Sequence, residues 1–243
     1  MHRSRARPHP GLPSRRRPDL QNRVHPRTPR PHPDDAEIAM GMRIRWYTEN
    51  GAHVRVHCLT MGSPAPNGSD VRREECLAAG AVLGVENYTF SEIPDTRFTD
   101  HRGDINAELF RVFGCGRPDI VYTHYPPDQH LDHTATAHEV TAVALREAAN
   151  LTYFRSPYSL GFNPNMIFMG TSDLLTAKKA ALGCFASQHQ LDMTALTTLA
   201  RVVHRQHVHH RVVERLPPHA VTAELFTIAR RVEIATDPAV APR

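Results

Sequence analysis

The chain has 243 residues, a length that fits one α/β domain or at most two small ones, and its 40% hydrophobic and 22% charged residues are ordinary for a soluble globular protein. No run approaches the roughly 18 consecutive apolar residues that a membrane-spanning helix needs, and the first residues lack the apolar stretch of a secretory signal. The cysteines form no C-x-x-C pair, so we expect reduced thiols in a cytoplasmic protein rather than a disulfide framework or a zinc knuckle.

The net charge of +4 is divided unevenly along the chain. Residues 1–30 contain nine arginines, one aspartate and six prolines, whereas the rest of the chain carries a net charge of −4. The Arg/Pro-rich segment has too few apolar residues to offset the entropy of ordering it. We therefore expect residues 1–30 to be a disordered tail and residues 31–243 to form the folded domain. Because this domain is mildly acidic, we do not expect it to bind nucleic acid.

Beyond residue 30, helical and strand patterns alternate. In chain order the predictions are a helix at 38–49, a strand at 53–59, a helix at 71–83, a strand at 87–90, a helix at 105–113, a strand at 119–123, a helix at 132–149, a strand at 151–154, helices at 173–185 and 195–207, and a strand at 225–232. This alternation is typical of βαβ units around a mainly parallel sheet, which carries its sites at the carboxyl ends of the strands.

Two short segments rich in histidine and aspartate occur at loop-to-helix junctions of this pattern. The first is H-P-D-D-A-E at residues 32–37, and the second is D-Q-H-L-D-H at residues 128–133. Taken alone, either segment is also explained by a turn and a helix cap, because proline and aspartate favour both. Histidine and aspartate are also the natural zinc ligands where cysteine is absent, and the two segments together indicate a metal site.

A catalytic zinc ion needs three protein ligands and one position open to water. His32, Asp35 and His133 would supply two imidazoles and one carboxylate. Asp34 would then lie beside the metal as a general base, and Asp132 would fix the tautomer of a neighbouring histidine, as carboxylates around metal sites do.

The pair H-P-D-D-x-E and D-x-H-x-D-H resembles the PIG-L/LmbE-like zinc-dependent N-acetylglucosaminide de-N-acetylases. Weaker similarities lie at Arg72-x-x-Glu75, at residues 118–121, at Lys178 and Lys179 with the later Ser-Gln pair, and at residues 223–226. The resemblance runs from about residue 32 to residue 230. It implies an α/β, Rossmann-like three-layer fold with a mainly parallel sheet.

The resemblance also implies a reaction. A zinc-dependent hydrolase would remove the acetyl group from an N-acetylglucosamine-type moiety of a small glycoside, a thiol-cofactor precursor or an antibiotic intermediate. Zinc, or another divalent ion, would polarise the acetamide carbonyl and lower the pKa of its bound water, and Asp34 would take the proton. His130 would stabilise the oxyanion or protonate the leaving amine, oriented by Asp132.

Three further residues are candidates for binding the substrate. Arg72 would lie near the substrate, as the resemblance implies. Asp95 belongs to a long polar loop, and such loops in α/β enzymes often contact substrate. His124 lies just before the second motif, where its side chain would line the cleft.

The sequence departs from the family immediately before His32. Family members lead into H-P-D-D with a hydrophobic strand, whereas residues 22–31 here contain three prolines and three arginines. Proline lacks the ladder donor and arginine resists burial, so we do not expect a central strand in this place. This departure suggests one alternative, a degenerate or misframed non-catalytic homologue whose Arg-rich tail binds an acidic partner. A second alternative, independent of the departure, is a related zinc amidase that cleaves larger acyl groups with the same residues.

Overall fold

A computed structural model describes residues 25–62, 68–188 and 191–233 as a seven-stranded sheet with helices on both faces. The strands are β1 (Pro26–Arg30), β2 (Arg55–Cys58), β3 (Asn87–Phe90), β4 (Ile120–His124), β5 (Asn150–Phe154), β6 (Met166–Gly170) and β7 (Thr222–Arg230). The helices are α1 (Asp35–Glu49), α2 (Gly68–Leu83), α3 (Arg102–Gly114), α4 (Leu131–Glu147), α5 (Ser172–Leu182), α6 (Met193–Val202) and α7 (His210–Val213), with a 3-10 helix at Val203–Gln206.

The strand order is β3-β2-β1-β4-β5-β7-β6. Neighbouring strands from β3 to β5 are parallel, whereas β7 runs antiparallel to both β5 and β6. Helices α1, α2 and α5 pack together on one face of the sheet, and α3 packs on α4 on the other. The predicted three-layer α/β fold with a mainly parallel sheet is thereby confirmed.

Every predicted helix is present, and each begins one to three residues before its predicted start. The sequence analysis missed β6 and α7. Strand β6 is a run of five residues, M-I-F-M-G, after an Asn/Pro segment, and its single β-branched residue, Ile167, is a weak strand signal. Within the described ranges, no helix is long and apolar enough to cross a bilayer.

Strand β1 overturns the prediction that all of residues 1–30 lie outside the fold. Its five residues are buried, and it pairs with β2 over four residues and with β4 over two. The arginines are tolerated because their guanidinium groups find polar partners in the interior. Arg30 pairs with Glu37, and Arg27 donates to carbonyl oxygens at and just beyond the end of α3. The expectation that prolines and arginines exclude a central strand was therefore wrong; the remainder of the predicted tail, residues 1–24, lies outside the described residues.

The carboxyl ends of β1 and β4 meet where the strand order reverses. From β1 the chain continues to β2 and β3 on one side, and from β4 it continues to β5 on the other. In open α/β sheets, ligands bind in the crevice outside such a switch point. His32 follows β1 by two residues and His124 is the last residue of β4, so the first motif and the strand before the second motif reach the same crevice.

Candidate metal and catalytic site

The loop after β1 is shaped by one strained residue. Asp34 adopts a left-handed conformation with φ 78°, and α1 begins at the next residue, Asp35. The main-chain nitrogen of His32 donates to the Asp35 carboxylate at 2.9 Å, which closes the turn. Backbone strain of this kind in a non-glycine residue is concentrated at functional sites, and here it lies in the turn that joins β1 to α1.

Asp35 lies at the centre of the cluster. Its Oδ1 atom is 3.5 Å from His133 Nε2 and 3.6 Å from His124 Nε2, and its Oδ2 atom is 3.5 Å from His32 Nδ1. Burial alone would raise the pKa of Asp35, but His133 and His124 hold it well below its ordinary value. A single ionised carboxylate therefore faces three imidazoles from three different segments of the chain.

Donor atoms converge within 4.8 Å in three overlapping groups of the described residues: His32, His130 and His133; Asp35, His124 and His133; His32, Asp95 and Asp132. His124 is completely buried, and neither of its ring nitrogens has a hydrogen-bond partner. Leaving such a group unsatisfied is costly, and a metal ion at this point would satisfy it. Imidazoles and carboxylates without thiolates suit zinc and other divalent ions, so the residues present fit a bound metal.

The predicted ligands His32, Asp35 and His133 are brought together, with a difference in grouping. Asp35 and His133 converge with His124, whereas His32 converges with His133 and His130. His124 was predicted to line the substrate cleft, but the structure places it beneath the crevice among the candidate ligands. The signal in the sequence that favoured a place among the metal ligands was the position of His124 at the last residue of a buried strand, shortly before the second motif.

Asp128 orients His133 and received no role from the sequence analysis. Its Oδ1 atom lies 3.2 Å from His133 Nδ1, and its Oδ2 atom accepts hydrogen bonds from Ser156 and Ser159. Although burial opposes it, these contacts lower the pKa of Asp128 to about 2. Metal-binding histidines commonly donate their other nitrogen to such a carboxylate, and the first position of D-x-H-x-D-H was the available signal.

Asp132 holds the opposite side of the cluster. Its Oδ2 atom lies 3.3 Å from His32 Nε2, which is also 3.1 Å from Asp95 Oδ1. Asp132 further accepts from the main-chain nitrogens of Thr96 and Phe98. The resemblance implied that Asp132 orients His130, but its carboxylate contacts His32 and tethers the 95–98 loop. Burial lowers the pKa of His32, yet these hydrogen bonds outweigh it and raise that pKa well above its ordinary value.

Asp34 and His130 have pKa values displaced in opposite directions. Burial, helped by the charge of Asp35, raises the pKa of Asp34 to about 8. Burial, helped by the charges of His32 and His133, lowers the pKa of His130. His130 caps the N-terminus of α4, and its half-buried ring lies 4.7 Å from that of His32. Displaced pKa values in neighbouring groups are typical of acid–base sites.

Arg72 and Tyr158 lie at the edge of this cluster. The Arg72 guanidinium donates to the Met61 carbonyl at 3.5 Å, and its charge acts on Asp95, whose pKa is lowered mainly by the hydrogen bond with His32. The Tyr158 ring is 51% exposed and its centroid lies 6.2 Å from that of His133.

Comparisons with known proteins agree with the two motifs. The family model PIG-L: GlcNAc-PI de-N-acetylase matches residues 30–144. The diacetylchitobiose deacetylase of Thermococcus kodakarensis is 27% identical over 191 residues, which cover 68% of this chain and 70% of that protein.

Solved structures share the fold at low sequence identity. The zinc-inhibited form of teicoplanin deacetylase Orf2 superposes with a TM-score of 0.68 at 16% identity, covering 84% of this chain and 97% of that one. The 4-carboxy-2-hydroxymuconate hydratase GalB of Pseudomonas putida superposes with a TM-score of 0.71 at 20% identity, covering 88% and 100%. At these identities the likeness establishes the three-layer fold and not the reaction.

Proposed function

We propose that the chain is a zinc-dependent N-deacetylase acting on an N-acetylglucosamine-type sugar, and the match of residues 30–144 to the PIG-L family model supports this proposal. The observation that carries the proposal is the cluster in which Asp35 faces His133, His124 and His32 at the switch point of the sheet. The fold alone does not decide the reaction, because one structure that shares it is named a hydratase.

The residues that would hold the metal are His32, Asp35 and His133, with His124 as a further candidate ligand. When bound, a zinc ion supplies Lewis acidity, which polarises an amide carbonyl and acidifies water. Around these residues, Asp128 Oδ1 lies 3.2 Å from the far nitrogen of His133, and Asp132 Oδ2 lies 3.3 Å from that of His32. These carboxylates would help to orient the two imidazoles toward a bound metal.

Asp34 and His130 would move the proton. Asp34 is buried beside Asp35, and it would accept the proton released as water attacks the acetamide carbon. His130, neutral and half-buried at the N-terminus of α4, would donate a hydrogen bond to the oxyanion, where the helix dipole also favours negative charge. The carbon–nitrogen bond then breaks, the amine nitrogen receives the proton, and acetate and the free amino sugar result.

The rim of the crevice supplies the groups that would bind the sugar. The exposed Tyr158 ring offers an apolar face beside His133, while the Arg72 and Asp95 side chains offer a donor and an acceptor for hydroxyl groups. These residues come from α2 and from two different loops, so a bound sugar would contact both sides of the crevice.

Acetate release from N-acetylglucosamine and N,N'-diacetylchitobiose, measured with the zinc content of the same samples, tests the proposal. We expect zinc-dependent release that a chelator abolishes. Asp34→Asn should keep the zinc and lose roughly 10²–10⁴-fold in rate, the usual contribution of a general base. Asp173→Asn, an exposed aspartate at the start of α5, is the matched control and should behave as wild type.

Two results would overturn this assignment. Full acetate release by Asp34→Asn would show that Asp34 is not the base. A folded wild-type protein without bound metal or hydrolytic activity would favour the non-catalytic alternative, in which the Arg-rich segment binds an acidic partner. That binding should weaken steeply with salt, unlike hydrolysis at the metal site.

A cavity next to the site favours a second candidate, the amidase acting on larger acyl groups. The cavity has a volume of about 760 Å³ and includes Ile38 and Ala39, which lie one turn along α1 from Asp35. Its opposite wall carries apolar residues of α6, among them Leu196 and Leu199. A series of N-acyl glucosamines distinguishes the two. A kcat/KM that rises with acyl length supports the larger amidase, and one that falls supports the deacetylase.

A further inference from the structure

A smaller cavity lies at the opposite edge of the sheet. Its volume is about 230 Å³, and it is lined by residues of β1, β2 and β3 and by the end of α3. Three arginines line it, Arg27 of β1, Arg55 of β2 and Arg111 of α3. Arg27 and Arg55 are direct neighbours in the register of the two strands, at the end away from the candidate metal site.

The guanidinium groups of Arg27 and Arg55 lie close together. Both approach the point that a Cβ atom would occupy on Gly116, Arg27 Nη2 at 3.5 Å and Arg55 Nη1 at 3.7 Å. Their hydrogen-bond partners are carbonyl oxygens, those of Val112 and Gly116 for Arg27 and that of Cys115 for Arg55. Each arginine is thus hydrogen-bonded without the negative charge of a carboxylate.

These carbonyls at the end of α3 compensate only part of the charge. A helix C-terminus carries about half a negative elementary charge, against two positive charges here. Arg27 is 4% exposed, and its buried Nε atom has no hydrogen-bond partner. Burial, followed by the charge of Arg55, lowers the pKa of Arg27 to about 10. Arg27 therefore keeps one donor without a partner, next to positive charge that the carbonyl groups compensate only in part.

The remaining charged and titratable groups near the cavity do not remove this excess. Arg111 pairs with Glu108, which also accepts a hydrogen bond from Ser91. His57 donates to or accepts from Thr89 and Ser91, and burial lowers its pKa to about 4, which leaves it neutral near pH 7. Three arginine charges thus face one glutamate.

We propose that this cleft binds a small dianion, inorganic phosphate, which bridges Arg27 and Arg55. Guanidinium groups bind phosphate oxygens in a bidentate manner, so phosphate should be preferred over chloride of equal ionic strength. The bound anion would neutralise like charges on β1 and β2. Because β1 leads directly into His32, the anion would stabilise the strand that positions the metal-binding loop, from the opposite edge of the sheet.

Thermal unfolding of the whole chain tests the proposal. Millimolar phosphate should raise the Tm of wild type above its value in sodium chloride of matched ionic strength. Arg55→Gln should weaken phosphate binding at least tenfold, because it removes one of the two bridged guanidinium groups. Arg205→Gln changes an exposed arginine near the end of the 3-10 helix and should respond to phosphate as wild type does.

Further variants and a second ligand test whether phosphate binds in this cavity and whether free phosphate or a phosphate ester is the ligand. Asp35→Asn should keep the increase in Tm with phosphate. If phosphate instead bound to a metal ion in the crevice, this variant would lose the increase. Arg111→Gln, which changes a largely exposed side chain, should weaken binding even if Arg55→Gln fails to fold. Glucose 6-phosphate raising the Tm more than inorganic phosphate would identify a phosphate ester as the occupant of the same cleft. An equal Tm in phosphate and chloride, or an undiminished effect in both arginine variants, would overturn the proposal.

Discussion

The buried ion pair between Arg30 and Glu37 is the feature by which the unusual strand β1 is best tested. Both side chains have no exposed surface, and the Tyr88 hydroxyl donates to the same carboxylate. The Arg30 guanidinium also lies 5.2 Å from the centre of the Tyr88 ring and 3.5 Å from Cys76 Sγ. Glu37→Gln preserves the size of the side chain and leaves the Arg30 charge buried without its counter-charge.

We expect Glu37→Gln to lose much of the free energy of unfolding. Removing one partner of a buried ion pair costs about 3–5 kcal/mol, because the other charge stays desolvated and uncompensated. At roughly 2–4 °C for each kcal/mol in a domain of this size, the Tm should fall by about 6–20 °C. Replacing the whole cluster with Arg30→Met, Glu37→Leu and Tyr88→Phe removes every charge and donor together. This triple variant should return to within about 2 kcal/mol of wild type, since apolar replacement of a buried ion pair is often neutral or better.

Urea denaturation measures both effects, with the midpoint compared at a constant m-value. The pair Arg45 and Glu49 is the control, because it joins partly exposed side chains on one helix at 2.8 Å. Glu49→Gln should cost less than about 1 kcal/mol. An equally small cost for Glu37→Gln would refute the reasoning, because it would show that Arg30 is not buried and that β1 does not occupy the centre of the sheet.

Three further outcomes are expected. Although burial opposes it, the neighbouring carboxylates raise the pKa of His133 to about 9 in the metal-free protein, so below that pH a metal ion must displace a proton. The apparent Kd for zinc, measured by competition titration, should rise at least about tenfold for each unit that the pH falls from 8 to 6, and a constant Kd would contradict this. Glu224 accepts hydrogen bonds from Lys178 at 2.8 Å and from two main-chain amides of α1. In urea denaturation, Glu224→Gln should lower the free energy of unfolding by about 3–5 kcal/mol and Lys178→Met by less. The reverse order would be inconsistent with this network. Tyr158→Ala should raise KM for the sugar about 2–10-fold with unchanged kcat and unchanged Tm, whereas a fall in kcat alone would place the ring in the chemical step.

The order of elements and the two motifs could be predicted from the sequence because they depend on local pattern. The alternation of strand and helix periodicities predicted the parallel α/β architecture. The contiguous H-P-D-D segment predicted that Asp34 and Asp35 share one turn at the start of α1. Helix starts were predicted slightly late, because the polar residues of a first helical turn resemble those of a loop.

Tertiary structure decided which partner each buried polar group has. Asp132 meets His32 across 100 residues of chain, and His124 at the end of β4 meets Asp35 at the start of α1, so neither contact follows from spacing. The same holds for β1. Its composition predicts an exposed tail, but Glu37 and the carbonyls at the end of α3 supply the interior partners of its arginines. The local sequence shows that burying these charges would be unfavourable, but only the folded chain brings in the groups that compensate the charges.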